Sequence, residues 1–199
     1  GGDGDEGGGG TAPSADGSVT IDEEHSVGAM DNFEGGTTFE ATEPVAVDGV
    51  PTRVVAPRGK LHLADYALEC AQFCFRYLRD YYGIPYPGDK LDHIAIPDFA
   101  FGAMENVGAI TYRETALLLD PAKASQAEKL RVLDVIGHEV AHQWFGNLVT
   151  MRWWEGIWLN EAFASFMEMK ATDARRPEWK RWLTFSAVER PWAMEVDHL

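Results

Sequence analysis

The hydrophobic pattern changes period along the chain, and each change predicts a different element. Apolar content is low up to Phe33 and rises after it. Val45-Ala46-Val47 and Val50 to Val55 flank Asp48-Gly49, the dipeptide of a two-residue β-hairpin turn, and Pro51 pushes one of the two strands toward a sheet edge. From Lys60 to Tyr82 the period becomes helical. Leu63, Ala67, Cys70, Cys74, Leu78 and Tyr81 recur at spacings of three and four, and Gly83 supplies a stop. Ile84 to Gly88 reads as a turn, and Leu91–Ile96 and Ala109–Arg113 read as strands. The second half is helical: about 124–146, opening near Pro121 and stopping at Gly146-Asn147, then about 160–174, then about 178–189. Strands first and helices later predict an α+β arrangement, with helices packed beside a small sheet.

Charge changes the picture only when it is located. The net charge of −15 over 199 residues is concentrated at the start, where residues 1–50 hold 12 Asp/Glu and no Lys or Arg. The remainder sets 20 Asp/Glu against all 17 Lys/Arg. No basic stripe exists to neutralise phosphates, so nucleic acid is not an expected partner. No apolar run approaches the roughly 18–20 residues that cross a bilayer. The acidic, Gly-rich opening (residues 1–35) is expected to be a flexible tail. No charged and apolar leader opens the chain, which makes the cytoplasm the expected compartment, although a start on Gly marks the sequence as an excerpt. Cys70 and Cys74, four apart in a helical stretch, read as small buried apolar side chains rather than as a disulfide.

The most informative segment is Gly137-His138-Glu139-Val140-Ala141-His142-Gln143-Trp144. On a helix, His138 and His142 project from one face a turn apart, where two imidazoles can share one Zn²⁺. Glu139, one position round, reaches the same place without being a ligand, as a general base requires. Leu133, Ile136, Val140 and Trp144 give that helix an apolar face, so it is expected to be buried, and buried histidines need polar partners. A catalytic zinc takes a third protein ligand and keeps an open position. Glu161, in Trp158-Leu159-Asn160-Glu161, follows His142 after 18 residues, enough for a loop to return a second helix beside the first. At the start of that helix its carboxylate would also favour the helix dipole. Glu168 lies on the same face as Glu161, where it can orient an imidazole or simply be solvated. The seven tryptophans all lie between Trp144 and Trp192 and read as packing residues, with Trp153, Trp154 and Trp158 burying the loop between the ligand-bearing helices.

With its spacing, this constellation resembles the gluzincin zinc aminopeptidases of the aminopeptidase N type. A second signature agrees: Gly102-Ala103-Met104-Glu105-Asn106 is similar to that family's exopeptidase motif and lies upstream of the metal helix. Ile96 to Phe99, Thr111 to Glu114, Gln143 to Thr150 and Ala193 to Asp197 match as well, so the resemblance covers about residues 36–199. It implies a thermolysin-like catalytic domain, partial here, over residues 60–199, preceded by a remnant of an N-terminal β-domain over 36–59. It implies one zinc ion held by His138, His142 and Glu161. Glu139 would take the proton of a zinc-activated water and pass it to the leaving amine. Gly102, Ala103, Met104, Glu105 and Asn106 would bind the substrate, an oligopeptide with a free N-terminus.

The second motif also has a physical reading of its own. Small residues at 102 and 103 let the backbone approach a peptide, and an extended segment there can pair with it by strand addition. A carboxylate at Glu105 selects chain ends, because an internal residue would leave it desolvated and unpaired. Two departures stand against the family pattern. The family places an oxyanion-stabilising tyrosine well beyond the metal helices, whereas all six tyrosines here precede His138, and most of the N-terminal β-domain is absent. The alternatives are a related epoxide hydrolase/aminopeptidase, against which Gly102-Ala103 leans, and a zinc-binding but catalytically incomplete module.

Overall fold

In the computed structural model of the chain, residues 38–197 are described. The tail expected over residues 1–35 lies outside them.

The elements follow the sequence pattern closely in the first half. Strands β1 (Phe39–Ala41), β2 (Val45–Val47) and β3 (Val50–Pro57) open the fold. Helix α1 (Asp65–Tyr82) follows, and then β4 (Leu91–Ile96), β5 (Ala103–Met104) and β6 (Ala109–Arg113). The hairpin turns on Asp48-Gly49 with Val47 paired to Val50, and both turn residues have positive φ, as that turn requires. Helix α1 buries Ala67, Cys70, Ala71, Cys74, Phe75 and Leu78 and ends on Gly83. Both cysteines are free and fully buried, and burial pushes both thiols up. Tyr81, at the end of the predicted stripe, is instead half exposed.

The six strands form one mixed sheet in the order β1-β3-β4-β6-β5, with β2 pairing β3 beyond the reach of β1. Strands β3, β4 and β6 are parallel, while β1, β2 and β5 are antiparallel to their neighbours. Two expectations change here. The strand carrying Pro51 is internal, not an edge; Pro51 is tolerated because β4 pairs with β3 only from Thr52 onward. The sheet also runs across the boundary expected at residues 59 and 60, since β3 and β4 pair directly and α1 is their crossover.

Helices α2 (Gln126–His142) and α3 (Ile157–Arg175) pack against each other, and α1 packs against both. Helix α2 opens on a capping box: Ser125 Oγ accepts from the Glu128 N–H, and the Glu128 carboxylate accepts from the Ser125 N–H. It stops at His142, not Gly146, because the next residues fold back over its end, with the Asn147 N–H bonded to the His142 carbonyl and the Val149 N–H to that of Trp144. Helix α3 begins three residues before the predicted start. Glu161 therefore lies beyond the first turn, where the helix dipole contributes little. The last helical region continues past Glu189: α4 (Arg181–Thr184), a π-helical stretch over Phe185–Glu189, and α5 (Arg190–Val196). Trp144 is buried, but Trp153, Trp154 and Trp158 are 64, 83 and 67 % exposed, so they do not bury the loop before α3. No described helix is long and apolar enough to cross a membrane.

Candidate functional site

The core of the site is a meeting of α2 and α3. Gly137 makes the close approach possible: a Cβ there would stand 3.3 Å from the Glu168 Cα. Beside it, His138 Nε2 lies 3.0 Å from His142 Nε2 and 3.2 Å from Glu161 Oε2. His142 Nε2 is 3.7 Å from Glu161 Oε1. Among the described residues this is the one group of His, Cys, Asp and Glu side chains able to hold a metal, its donor atoms all within 4.8 Å of one another.

The outward nitrogens explain why the inner ones converge. His138 Nδ1 donates to Glu168 Oε2 at 2.9 Å, and His142 Nδ1 donates to the Phe145 carbonyl at 3.0 Å. With Nδ1 protonated on each ring, both neutral imidazoles turn an Nε2 lone pair toward the same point, and the Glu161 carboxylate adds a third acceptor. Three acceptors so close require a positive charge between them. A proton on His138 can serve. Burial opposes that proton, but the carboxylates of Glu168, Glu139 and Glu161 outweigh burial and hold His138 up at about 9. A divalent cation in the proton's place meets all three acceptors together. Two imidazole nitrogens and one carboxylate, with both rings oriented from behind, are a donor set that suits zinc.

Glu139 is 7 % exposed, and its Oε2 is buried without a hydrogen-bond partner. Burial raises its carboxyl to about 8; His138 opposes the shift, and the negative charges of Glu105, Glu161 and Glu168 add to it. Above that pH Glu139 is a carboxylate able to accept a proton, and its unpartnered oxygen is free to do so.

The segment from Gly102 to Asn106 forms the sheet edge facing this helix. Ala103 and Met104 are β5, paired with Tyr112 and Thr111 of β6, and β5 ends the strand order, leaving its outer side open for an added strand among the described elements. Gly102, Met104 and Asn106 are exposed, and Ala103 and Glu105 are half-buried. Arg113 steadies the approach to the loop, donating from Nε to the Phe99 carbonyl at 3.0 Å and from Nη2 to that of Ala100 at 2.7 Å. All the residues singled out in the sequence thus fall in one region: His138, Glu139 and His142 on α2, Glu161 on α3, and 102–106 on the edge strand and its loop. Residues to which the sequence assigned no role also belong to it. Gln143 and Asn147 bind the Glu105 main chain, and Arg181 backs Glu168 from 3.7 Å while pairing with Asp134 at 3.0 Å. Gln143 stands next to His142 in the Gln143–Thr150 motif, which was the available signal; nothing local marks Arg181.

Two imidazoles and a carboxylate converging on one point next to a buried, unpartnered glutamate oxygen make a candidate metal site. The sequence model of the peptidase family M1 domain matches residues 66–199, and the chain belongs to that family. It is 49 % identical over 147 residues to aminopeptidase M1 of Arabidopsis thaliana, covering 74 % of this chain and 17 % of that protein. It is 50 % identical over 142 residues to endoplasmic reticulum aminopeptidase 1 of Homo sapiens (71 and 15 %). It is 49 % identical over 151 residues to puromycin-sensitive aminopeptidase of Caenorhabditis elegans (76 and 16 %). The chain therefore spans about a sixth of the length of these relatives.

Proposed function

We propose that the chain is the metal-binding part of a thermolysin-like zinc aminopeptidase, which releases N-terminal residues from peptides by hydrolysis. The observation that carries this reading is the convergence of His138 Nε2, His142 Nε2 and the Glu161 carboxylate beside a buried, unpartnered Glu139 oxygen. The relatives' names, all aminopeptidases, support it.

Zinc held by His138, His142 and Glu161 would supply Lewis acidity toward the peptide carbonyl and the attacking water. The rest of the chemistry belongs to side chains. Glu139 accepts the proton of the attacking water at the oxygen that lacks a partner, and returns it to the leaving amine. A peptide adds as a strand to the open side of β5 and presents its terminal ammonium to Glu105. Glu168 and the Phe145 carbonyl hold the two imidazoles in the tautomer that leaves Nε2 free.

Hydrolysis of leucyl-p-nitroanilide by the zinc-loaded chain tests this. Turnover is expected on this substrate with its free amine. It should be lost in Glu139→Gln and with N-acetyl-leucyl-p-nitroanilide. A zinc-loaded chain that hydrolyses both anilides equally, or neither, contradicts the proposal.

A further inference from the structure

Gln143 follows a metal-site histidine and is 1 % exposed, yet its amide takes no part in the donor cluster. It is committed to the loop that carries Glu105. Nε2 donates to the main-chain carbonyl of Glu105 at 3.1 Å and to that of Glu139 at 3.4 Å. Oε1 accepts from the Gly108 N–H and from the Tyr86 hydroxyl, each at 3.4 Å. Asn147, on the segment folded over the end of α2, donates Nδ2 to the same Glu105 carbonyl at 2.8 Å. One buried amino group therefore joins the main chains of the two glutamates that the proposed reaction uses, one for the amine and one for the proton.

We propose that Gln143, assisted by Asn147, is a positioning residue that sets the distance between the Glu105 carboxylate and the metal helix. This rests on the reading of Glu105 as the amine anchor. An aminopeptidase must hold the free ammonium of the same residue whose carbonyl it attacks. A displacement of about 1 Å in such a geometry can cost roughly 100-fold. The edge strand alone cannot fix this distance. Strand β5 is two residues long, and after Met104 the chain leaves the sheet until Ala109. Over that gap, Gln143 and Asn147 connect the loop to α2 at the Glu105 carbonyl, and Gln143 again at the Gly108 N–H. Because both side chains lie within five residues of His142, any movement of the metal helix carries the loop with it.

The test uses the full chain loaded with zinc and two titrants, leucine hydroxamate and its N-acetyl derivative. Both chelate zinc, but only the first offers an ammonium to Glu105. In Gln143→Met, which keeps length and volume but loses the amide, the preference for the free amine should fall about tenfold, the effect of one hydrogen bond to a buried group. Zinc stoichiometry and the affinity for the N-acetyl compound should not change, and amide exchange over Ala103–Gly108 should quicken. Asn147→Ala, at a half-buried position, should shift both readouts the same way by a smaller amount, which keeps the test open if Gln143→Met fails to fold. Unchanged preference and exchange in these variants would overturn the proposal while leaving the anchor intact. A wild-type chain that binds zinc but prefers neither hydroxamate would refute the Glu105 anchor, and this inference with it.

Discussion

Glu168 Oε2 accepts a hydrogen bond from His138 Nδ1 at 2.9 Å, joining α3 to α2 behind the candidate metal-binding group and not within it. The contact fixes which nitrogen of His138 faces Glu161, and Arg181 stands behind the carboxylate at 3.7 Å. Glu168→Gln keeps an acceptor but removes the charge. Such a change behind a ligand typically lowers metal affinity by about 10–100-fold. A competition titration against a chromophoric chelator should show that loss, with the helical content unchanged.

The turn after α2 is equally exacting. Gly146 has φ +132°, and a Cβ there would stand 2.7 Å from Asn160 Oδ1 and 2.9 Å from His142 Nδ1. Asn160 in turn donates Nδ2 to Glu161 Oε1 at 3.0 Å. Gly146→Ala therefore combines backbone strain with displacement of the His142 ring and of Asn160, which bonds Glu161. It should cost about 1–3 kcal/mol in urea denaturation, and zinc affinity should fall as well.

Zinc uptake should depend on pH in a defined direction. In the metal-free chain His138 is held up at about 9 by the surrounding carboxylates, against the effect of burial. Below that pH the cation must displace a proton. Zinc affinity should thus rise by about tenfold per pH unit between roughly pH 7 and 9, and calorimetry in buffers of different ionisation enthalpy should detect the released proton.

A second titration belongs to the core of the sheet. His93, fully buried on β4, has Nδ1 2.9 Å from the Tyr112 hydroxyl, and its Nε2 has no partner. Burial lowers it to about 4, although Asp92 pulls the other way. Between pH 6.5 and 4 the unfolded chain binds the proton and the folded chain does not. The stability that neutral His93 provides is present above pH 6.5 and is lost as pH falls to about 4, a loss of roughly 3 kcal/mol. His93→Gln should remove that component from the difference between denaturation midpoints at pH 7 and pH 4.

The pair of histidines on one helix face and the hairpin were legible because local pattern alone specifies them. His138 and His142 are one helical turn apart whatever packs around them, and Asp48-Gly49 specifies its own hairpin. Residues whose role depends on a distant partner were not. Pro51 signals an edge, and only the register of β3 on β4 shows that its strand is internal. The tryptophans around residue 154 are apolar enough for a core, but nothing local says whether a partner surface covers them. Glu168 had two readings in the sequence, and the packing of α3 against Gly137 selects between them. Arg181 enters only through contacts with residues 134 and 168, far from it in sequence.

The central claim is that His138, His142 and Glu161 together hold one zinc ion, and zinc-edge X-ray absorption on the zinc-titrated chain addresses it directly. The account predicts one zinc per chain, in a shell of nitrogen and oxygen at about 2.0–2.2 Å that includes two imidazoles, and loss of the bound ion in Glu161→Ala. A chain that takes up no zinc, a sulfur shell near 2.3 Å from Cys70 or Cys74, or a spectrum unchanged in Glu161→Ala would contradict it.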